Sequence, residues 1–318
     1  MRHRRFGMTG LELSEITFGA MRFVPGLHQK NDLEEGKAAL EAALANGVTT
    51  IHSSYEYGTR YALGEVLGRH KGSTRLQHII KATVPDYDDD RFVPEKFRDM
   101  VETALRELHA ERIDIVQHLQ RGVDKGIIYD ERGDPARIAA MPTVNAALRE
   151  TFDKLRDEGK VGYLCTFPHT PAFAEAAIAS GVFDGMVAFF NLAETEMVPF
   201  FDVMRKRGMG YVTMRPYCQG LLTDKWQDPS KLPAGDPRLG PDLAHIRERF
   251  KRLQAAIGSE VESWTSLAVK FALADPLFPS VIVGMNTVGQ VETAIAAADG
   301  DYPDPAFIRR VHGINTKG

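Results

Sequence analysis

The chain has 318 residues, 43% of them hydrophobic and 26% charged, with a formal net charge of −4. That length suits one large α/β domain, and the near-neutral balance excludes a general electrostatic pull toward nucleic acid or an anionic membrane surface. The two cysteines, Cys165 and Cys218, form no CxxC, which argues against a disulfide framework and against a structural zinc or iron–sulfur centre, so no metal site is expected and a reducing cytoplasm fits.

Met1-Arg-His-Arg-Arg5 runs into Phe6-Gly-Met-Thr-Gly10 rather than an apolar signal core, and no uncharged apolar run reaches membrane-spanning length. Residues 4–7 and 11–15 bracket Met8-Thr-Gly10 and predict an N-terminal β-hairpin over 1–15. A first buried strand is expected at 16–18, ending at Gly19, then a helix over 32–46 that stops at Gly47 and a strand at 48–51. A short helix at 61–69, a strand at 77–81, a helix over 94–109 opened by Pro94 and a strand at 113–118 follow. Residues 121–142, rich in Asp, Gly and Pro, read as irregular. Beyond them come a helix over 143–158, a strand at 161–165, a helix at 171–180, a strand at 186–190, a helix over 196–207 and a strand at 210–214. A Pro/Gly-rich loop to 243, helices near 243–256 and 260–274, a strand at 280–283, a helix at 288–298 and a tail over 301–318 complete the chain.

Eight short apolar strands alternating with helices predict a single α/β domain over 1–318, a (β/α)8 TIM barrel with an added N-terminal β-hairpin. A doubly wound open sheet would carry a G-x-G-x-x-G fingerprint after its first strand, and Gly19-Ala-Met-Arg-Phe-Val24 is not one. In such barrels chemistry gathers where strands end. The stretch HSSYEYG, His52 to Gly58, lies at one such end, and Lys81, His118, His169, Asn191 and Arg215 lie at others. A phenol, an ammonium and imidazoles on neighbouring strands make an acid/base set.

Taken together, Phe18-Gly-Ala-Met-Arg22, Gly47-Val-Thr-Thr-Ile51 with Tyr57-Gly58, Lys81, Ile113-Asp-Ile115, Glu158-Gly-Lys-Val161, Pro216 with Gly220-Leu-Leu222, and Val281-Ile-Val-Gly284 with Gln290 give a chain that resembles the aldo-keto reductase family over nearly its whole length. The resemblance implies a nicotinamide-dependent enzyme interconverting a small carbonyl compound and an alcohol. Tyr57 would be the proton donor and Lys81 the ammonium that tunes it. The family's carboxylate, five residues before the tyrosine, falls on His52. Its histidine falls on Leu119, so His118 would serve only if the strand end slips by one residue. The resemblance assigns cofactor contacts to Gly19, Ala20 and Met21, to His169, to Arg215, Pro216, Gln219, Gly220 and Leu222, and to Gly284, Asn286 and Gln290. The family's nicotinamide-contacting serine and glutamine fall on Phe167 and Val187. NADP is the implied cofactor; NAD stays open because the commonly basic residue after the last strand falls on Asn286. No ferredoxin-like cluster is expected.

Without a strand carboxylate, Lys81 is expected to lose its anion and titrate low. His52 is read either as a buried neutral histidine or as a proton relay to Tyr57. Arg22 and Arg215 are read as holders of a carboxylate or phosphate, or as ordinary rim charges. Substrate choice is expected to lie in loops 24–31, 121–142 and 223–243. Two other functions compete with the reductase: a cofactor-binding sensor with little turnover, and a non-redox lyase or epimerase using His52, Tyr57, Lys81 and His169.

Overall fold

The N-terminal strands β1 (His3–Arg5) and β2 (Glu12–Ser14) pair antiparallel, with Arg4 opposite Leu13, and form the predicted hairpin. This computed structural model describes residues 1–23, 32–70, 72, 75–127, 130–226 and 228–316; the expected specificity loop 24–31 lies outside them. The hairpin is followed by β3 (Ile16–Gly19), α1 (Leu33–Ala45), β4 (Thr50–Ser54), α2 (Arg60–Leu67), β5 (Gln77–Thr83), α3 (Pro94–Leu108) and β6 (Ile113–Leu119). Next come α4 (Asp134–Asp157), β7 (Val161–Thr166), α5 (Pro171–Ser180), β8 (Gly185–Phe189), α6 (Phe201–Lys206) and β9 (Gly210–Met214). The chain ends with α7 (Ala244–Ile257), α8 (Trp264–Phe271), β10 (Val281–Gly284), α9 (Val288–Ala297) and α10 (Pro305–Asn315).

Strands β3 to β10 are all parallel and close in the order β10-β3-β4-β5-β6-β7-β8-β9, the expected barrel. Because side chains alternate across a strand, each one feeds two cores. Ile79, Ile115, Cys165, Val187, Val212 and Ile282 point inward and pack with Phe6, Leu11 and Leu13 of the hairpin. Phe18, Ile51, Ile80, Val116, Leu164 and Met186 point outward under the helices. The hairpin thereby stoppers the N-terminal end of the barrel. Phe6 fills the space above Gly185 and Gly210, where a Cβ on either would overlap its ring.

Several boundaries differ from the sequence expectation, each for a local reason. The helix expected from residue 143 begins at Asp134, with Pro135 in its first turn and Pro142 inside it. Pro142 removes one backbone bond, yet Met141, Val144, Leu148, Phe152 and Leu155 form a continuous buried stripe that holds the helix across it. The helix expected over 196–207 is confined to α6, preceded by a single 3-10 turn, Val198–Phe200, that contains Pro199. Within the C-terminal segment expected as a tail, Asp304 caps α10, which buries Ile308 and Val311 and packs on α7. Among the described residues no helix is long and apolar enough to cross a membrane.

Candidate active site

At the end of β4, Ser54 turns the chain: its hydroxyl accepts from Glu56 N at 3.3 Å and caps a one-turn 3-10 helix, Tyr55–Tyr57. Gly58 closes the turn with φ +61, a backbone conformation that glycine adopts without Cβ strain. The turn folds Tyr57 back over the barrel mouth, leaving it 8% exposed. Register pairs Ser54 with Lys81, Lys81 with Gln117 and Gln117 with Cys165, so these positions lie side by side across four strands. The Lys81 side chain is 11% exposed, and its Nζ lies 5.3 Å from the centroid of the Tyr57 ring. The phenol and the ammonium named from sequence therefore meet at the mouth.

Below them, His52 is buried inside the lumen with its ring 6.1 Å from that of Tyr57. Gln117 Nε2 donates to the Val187 carbonyl at 2.8 Å, which turns Gln117 Oε1 toward His52 Nε2, 2.9 Å away. An oxygen there can only accept, so His52 carries its proton on Nε2 and presents Nδ1 as an acceptor. Burial, followed by the nearby Lys81 charge and opposed by the Gln117 bond, lowers the His52 pKa to about 4. His52 is thus neutral over the physiological range and places no charge beneath the pair.

The expectation that Lys81 lacks an anion is overturned. Lys81 Nζ is ion-paired with Glu56, the residue directly before Tyr57. The other Glu56 oxygen takes Arg121 at 2.7 Å, and Arg121 reaches on to Asp86 at 2.8 Å. Asp86 in turn accepts the Tyr55 hydroxyl at 2.6 Å. Burial pushes the Lys81 pKa down while Glu56 pushes it up, and the net direction is down. Burial raises Glu56, but Lys81 and Arg121 outweigh it and hold the carboxyl below its usual range. Sequence reasoning missed Glu56, Asp86, Arg121 and Gln117. The available signals were a carboxylate inside HSSYEYG itself, and strand parity, which puts Gln117 on the face of Lys81.

His118 does not join the site. It faces out of the barrel among Phe92, Phe97 and Phe183, bonds the Val84 carbonyl at 2.7 Å and is held neutral by burial, with a pKa lowered to about 4. The β6 register runs without slip, Ala82 opposite His118 and Thr83 opposite Leu119, so Leu119 takes the inward place. His169 does reach the mouth. Its ring lies 4.3 Å from Phe167 and 5.7 Å from Phe189, and burial, then the charges of Arg137, Lys81, Arg121 and Arg215, lowers its pKa to about 3.

The remaining assigned residues cluster on the loops after β3, β9 and β10. Gly19 sits between His52 and Gly284 in register, so close to the Val283 carbonyl that a Cβ would stand 2.9 Å from it. Ala20 is buried and Met21 exposed. Arg22 reaches Gln219 Oε1 at 3.4 Å, and burial with the neighbouring Arg238 charge lowers its pKa. Past β9 the chain makes a strained run, with positive φ at Arg215, Cys218, Gln219 and Gly220. Arg215 stacks on Phe189 and lies 3.4 Å from Glu194, while Pro216 and Leu222 are buried and shape the loop from beneath. Arg238 reaches the Gln219 carbonyl at 3.5 Å and stacks on Trp226. Beyond the exposed Gly284, Thr287 caps α9 and Gln290 Oε1 accepts from Asn286 N at 2.7 Å. Asn286 Oδ1 and the Tyr217 hydroxyl are buried without a hydrogen-bond partner.

Fold and site together define a (β/α)8 barrel of the enzyme type, with a phenol–ammonium pair at the C-terminal ends of its strands. Residues 15–314 match the model of the Aldo/keto reductase family, and the chain belongs to that family, whose general activity is nicotinamide-dependent carbonyl reduction. The chain is 24% identical over 307 residues to L-galactose dehydrogenase of Arabidopsis thaliana, covering 92% of this chain and 87% of that one. It is likewise 24% identical to human aflatoxin B1 aldehyde reductase member 2, covering 88% of this chain and 81% of the relative. An aldo-keto reductase from Bacillus halodurans in its holo form superposes over 100% of this chain and 97% of its own, with a TM-score of 0.75 at 16% identity.

Proposed function

We propose that the chain is an oxidoreductase that interconverts an aldehyde or ketone and an alcohol, with Tyr57 giving its proton to the carbonyl oxygen in reduction and taking it back in oxidation. The observation that carries this reading is Lys81 Nζ held 5.3 Å from the Tyr57 ring at the mouth of a family-matched barrel. A carbonyl that receives hydride builds negative charge on oxygen, and as Tyr57 releases its proton the Lys81 ammonium stabilises the phenolate left behind.

The loops after β3, β9 and β10 support a nicotinamide dinucleotide as the partner. Burial, with the Arg238 charge close by, lowers the Arg22 pKa, and an anionic diphosphate would offset that cost. The unpartnered Asn286 Oδ1 and Tyr217 hydroxyl are the kind of buried polar atoms that a bound polar group satisfies. When bound, the cofactor supplies the hydride. At the ring end, Phe167 gives an apolar wall where the family's serine would stand, and it packs against His169 and Phe189. NADPH is the proposed cofactor, and NADH the alternative.

Nicotinamide fluorescence titration with NADPH and NADH, followed by turnover of an aldehyde panel, tests this. Tyr57→Phe should bind cofactor as the wild type does and lose about 10²-fold or more in kcat. Binding without Tyr57-dependent turnover would favour the cofactor-binding sensor, which the apolar Leu119, Phe167 and Val187 positions motivate. No binding of either cofactor would favour a non-redox lyase or epimerase.

A further inference from the structure

We propose that Glu56 is the positioning residue of the proton-donor pair, supplying from the Tyr57 turn itself the anion that the barrel strand lacks. The proposal rests on the reductase reading for its catalytic consequence, but its physical content is an interaction between two side chains. Three observations lead to it. The lumen position five residues before Tyr57 is a neutral histidine locked to Gln117, so no anion reaches Lys81 from below. Lys81 is almost wholly buried, and a lysine so placed without a counter-charge gives up its proton readily. The carboxylate that meets it is Glu56, clamped by Lys81 on one oxygen and Arg121 on the other, with Arg121 itself anchored by Asp86.

Geometry makes this different from an anion fixed in a strand. Glu56 and Tyr57 are consecutive residues of a single 3-10 turn closed by Ser54 and Gly58. The turn therefore brings the proton donor and the anchor of its cation to the mouth together. Lys81 is drawn toward the rim and held beside the Tyr57 ring. Arg121 prevents Glu56 from swinging out to solvent and, being a cation itself, opposes protonation of that carboxylate. The titratable and charged groups facing Lys81 are Glu56 and Tyr57 from the turn, His52 from β4, Asp86 from beyond β5, Arg121 from beyond β6 and His169 from beyond β7. Glu56 and Asp86 alone among these carry negative charge, and only Glu56 touches the ammonium.

The test compares wild type, Glu56→Gln, Glu56→Asp and Glu56→Gln/His52→Asp as full chains. Lys81 Nζ is followed by 15N-lysine NMR, its signal assigned from Lys81→Arg. In Glu56→Gln the ammonium should titrate at lower pH than in wild type. The high-pH limb of the kcat profile should move the same way, with about tenfold or more lost at alkaline pH and KM for the carbonyl within about threefold. Glu56→Asp should retain most of the wild-type behaviour, and His52→Asp should restore part of what Glu56→Gln lost, by returning an anion to the strand. In the wild type, protonating Glu56 at acid pH should move the Lys81 Nζ resonance, a readout that does not depend on any Glu56 variant folding. An unchanged Lys81 titration in Glu56→Gln, or a Lys81 resonance indifferent to Glu56 protonation, overturns the proposal. Absence of turnover by the wild type with both cofactors would instead remove the reductase reading and leave the NMR result to decide this one.

Discussion

The two ends of the barrel carry similar groups in opposite arrangements. At the floor, Arg2 and Arg4 bond the two oxygens of Glu15 at 2.8 and 2.7 Å, and the Tyr302 hydroxyl donates to the same carboxylate at 2.7 Å, with both guanidiniums stacked on its ring. At the mouth, Glu56 takes Lys81 and Arg121, and the phenol that bonds a carboxylate is Tyr55, on Asp86. Burial and the Glu15 bond push Tyr302 up to about 12, and burial with Asp86 pushes Tyr55 up as well, so both are held as protonated phenols. Tyr57 differs in its neighbours, a cation over its ring and a neutral imidazole beneath. Under the proposed function, the cation beside Tyr57 is what would let that phenol part with a proton. The hydroxyls of Tyr302 and Tyr55 bond carboxylates and brace the structure, whereas the ring of Tyr57 lies against an ammonium.

Breaking the floor should cost stability and leave chemistry alone. Glu15→Gln removes the anion shared by Arg2, Arg4 and Tyr302. It should lower unfolding free energy by about 2 kcal/mol or more, less than for a fully buried pair because Arg2 is half exposed. Chemical denaturation would measure that loss, and kcat of the folded fraction should match wild type.

Acid should separate the two regions next. His52 and His118 have folded pKa values of about 4 against an ordinary 6.5. Between those values the unfolded chain binds more protons, so stability falls as pH drops through the window, each histidine adding up to about 1.4 kcal/mol per pH unit. At the floor, burial would raise Glu15, but its bonds to Tyr302, Arg2 and Arg4 hold it below its usual range, so it stays ionised there. Hydrogen exchange at pH 4.5 should therefore rise in β4 and β6 before it rises in the hairpin. Simultaneous loss of protection at both ends would break the contrast. The smallest effect is expected for Tyr55→Phe, which removes a brace rather than the proposed proton donor: kcat within about threefold of wild type, a sharp contrast with Tyr57→Phe.

Much of this was legible in the chain. The alternation of short apolar runs with amphipathic helices is local, so it predicted the barrel. Tyr57 and Lys81 stood out through their register with family landmarks. His118 shows a subtler case. Its chemistry invites a catalytic role, but strand alternation sets it outward, and the unslipped pairing of β6 with β5 bears this out. The start of α4 was hidden because Pro142 and the Asp/Gly/Pro-rich segment before it read as helix breakers, while the stripe that overrides them forms only against the barrel.

Order along the chain determined which residues stand at the strand ends, because hydrophobic period and turn chemistry act over a few residues. Charge partnership was decided in three dimensions. Glu56 meets Lys81 across 25 positions and Arg121 across 65, and an ion pair between buried groups depends on distance and on exclusion of water, neither of which linear order records. The resemblance marked a strand position without its expected carboxylate, and only the folded barrel showed which carboxylate meets Lys81.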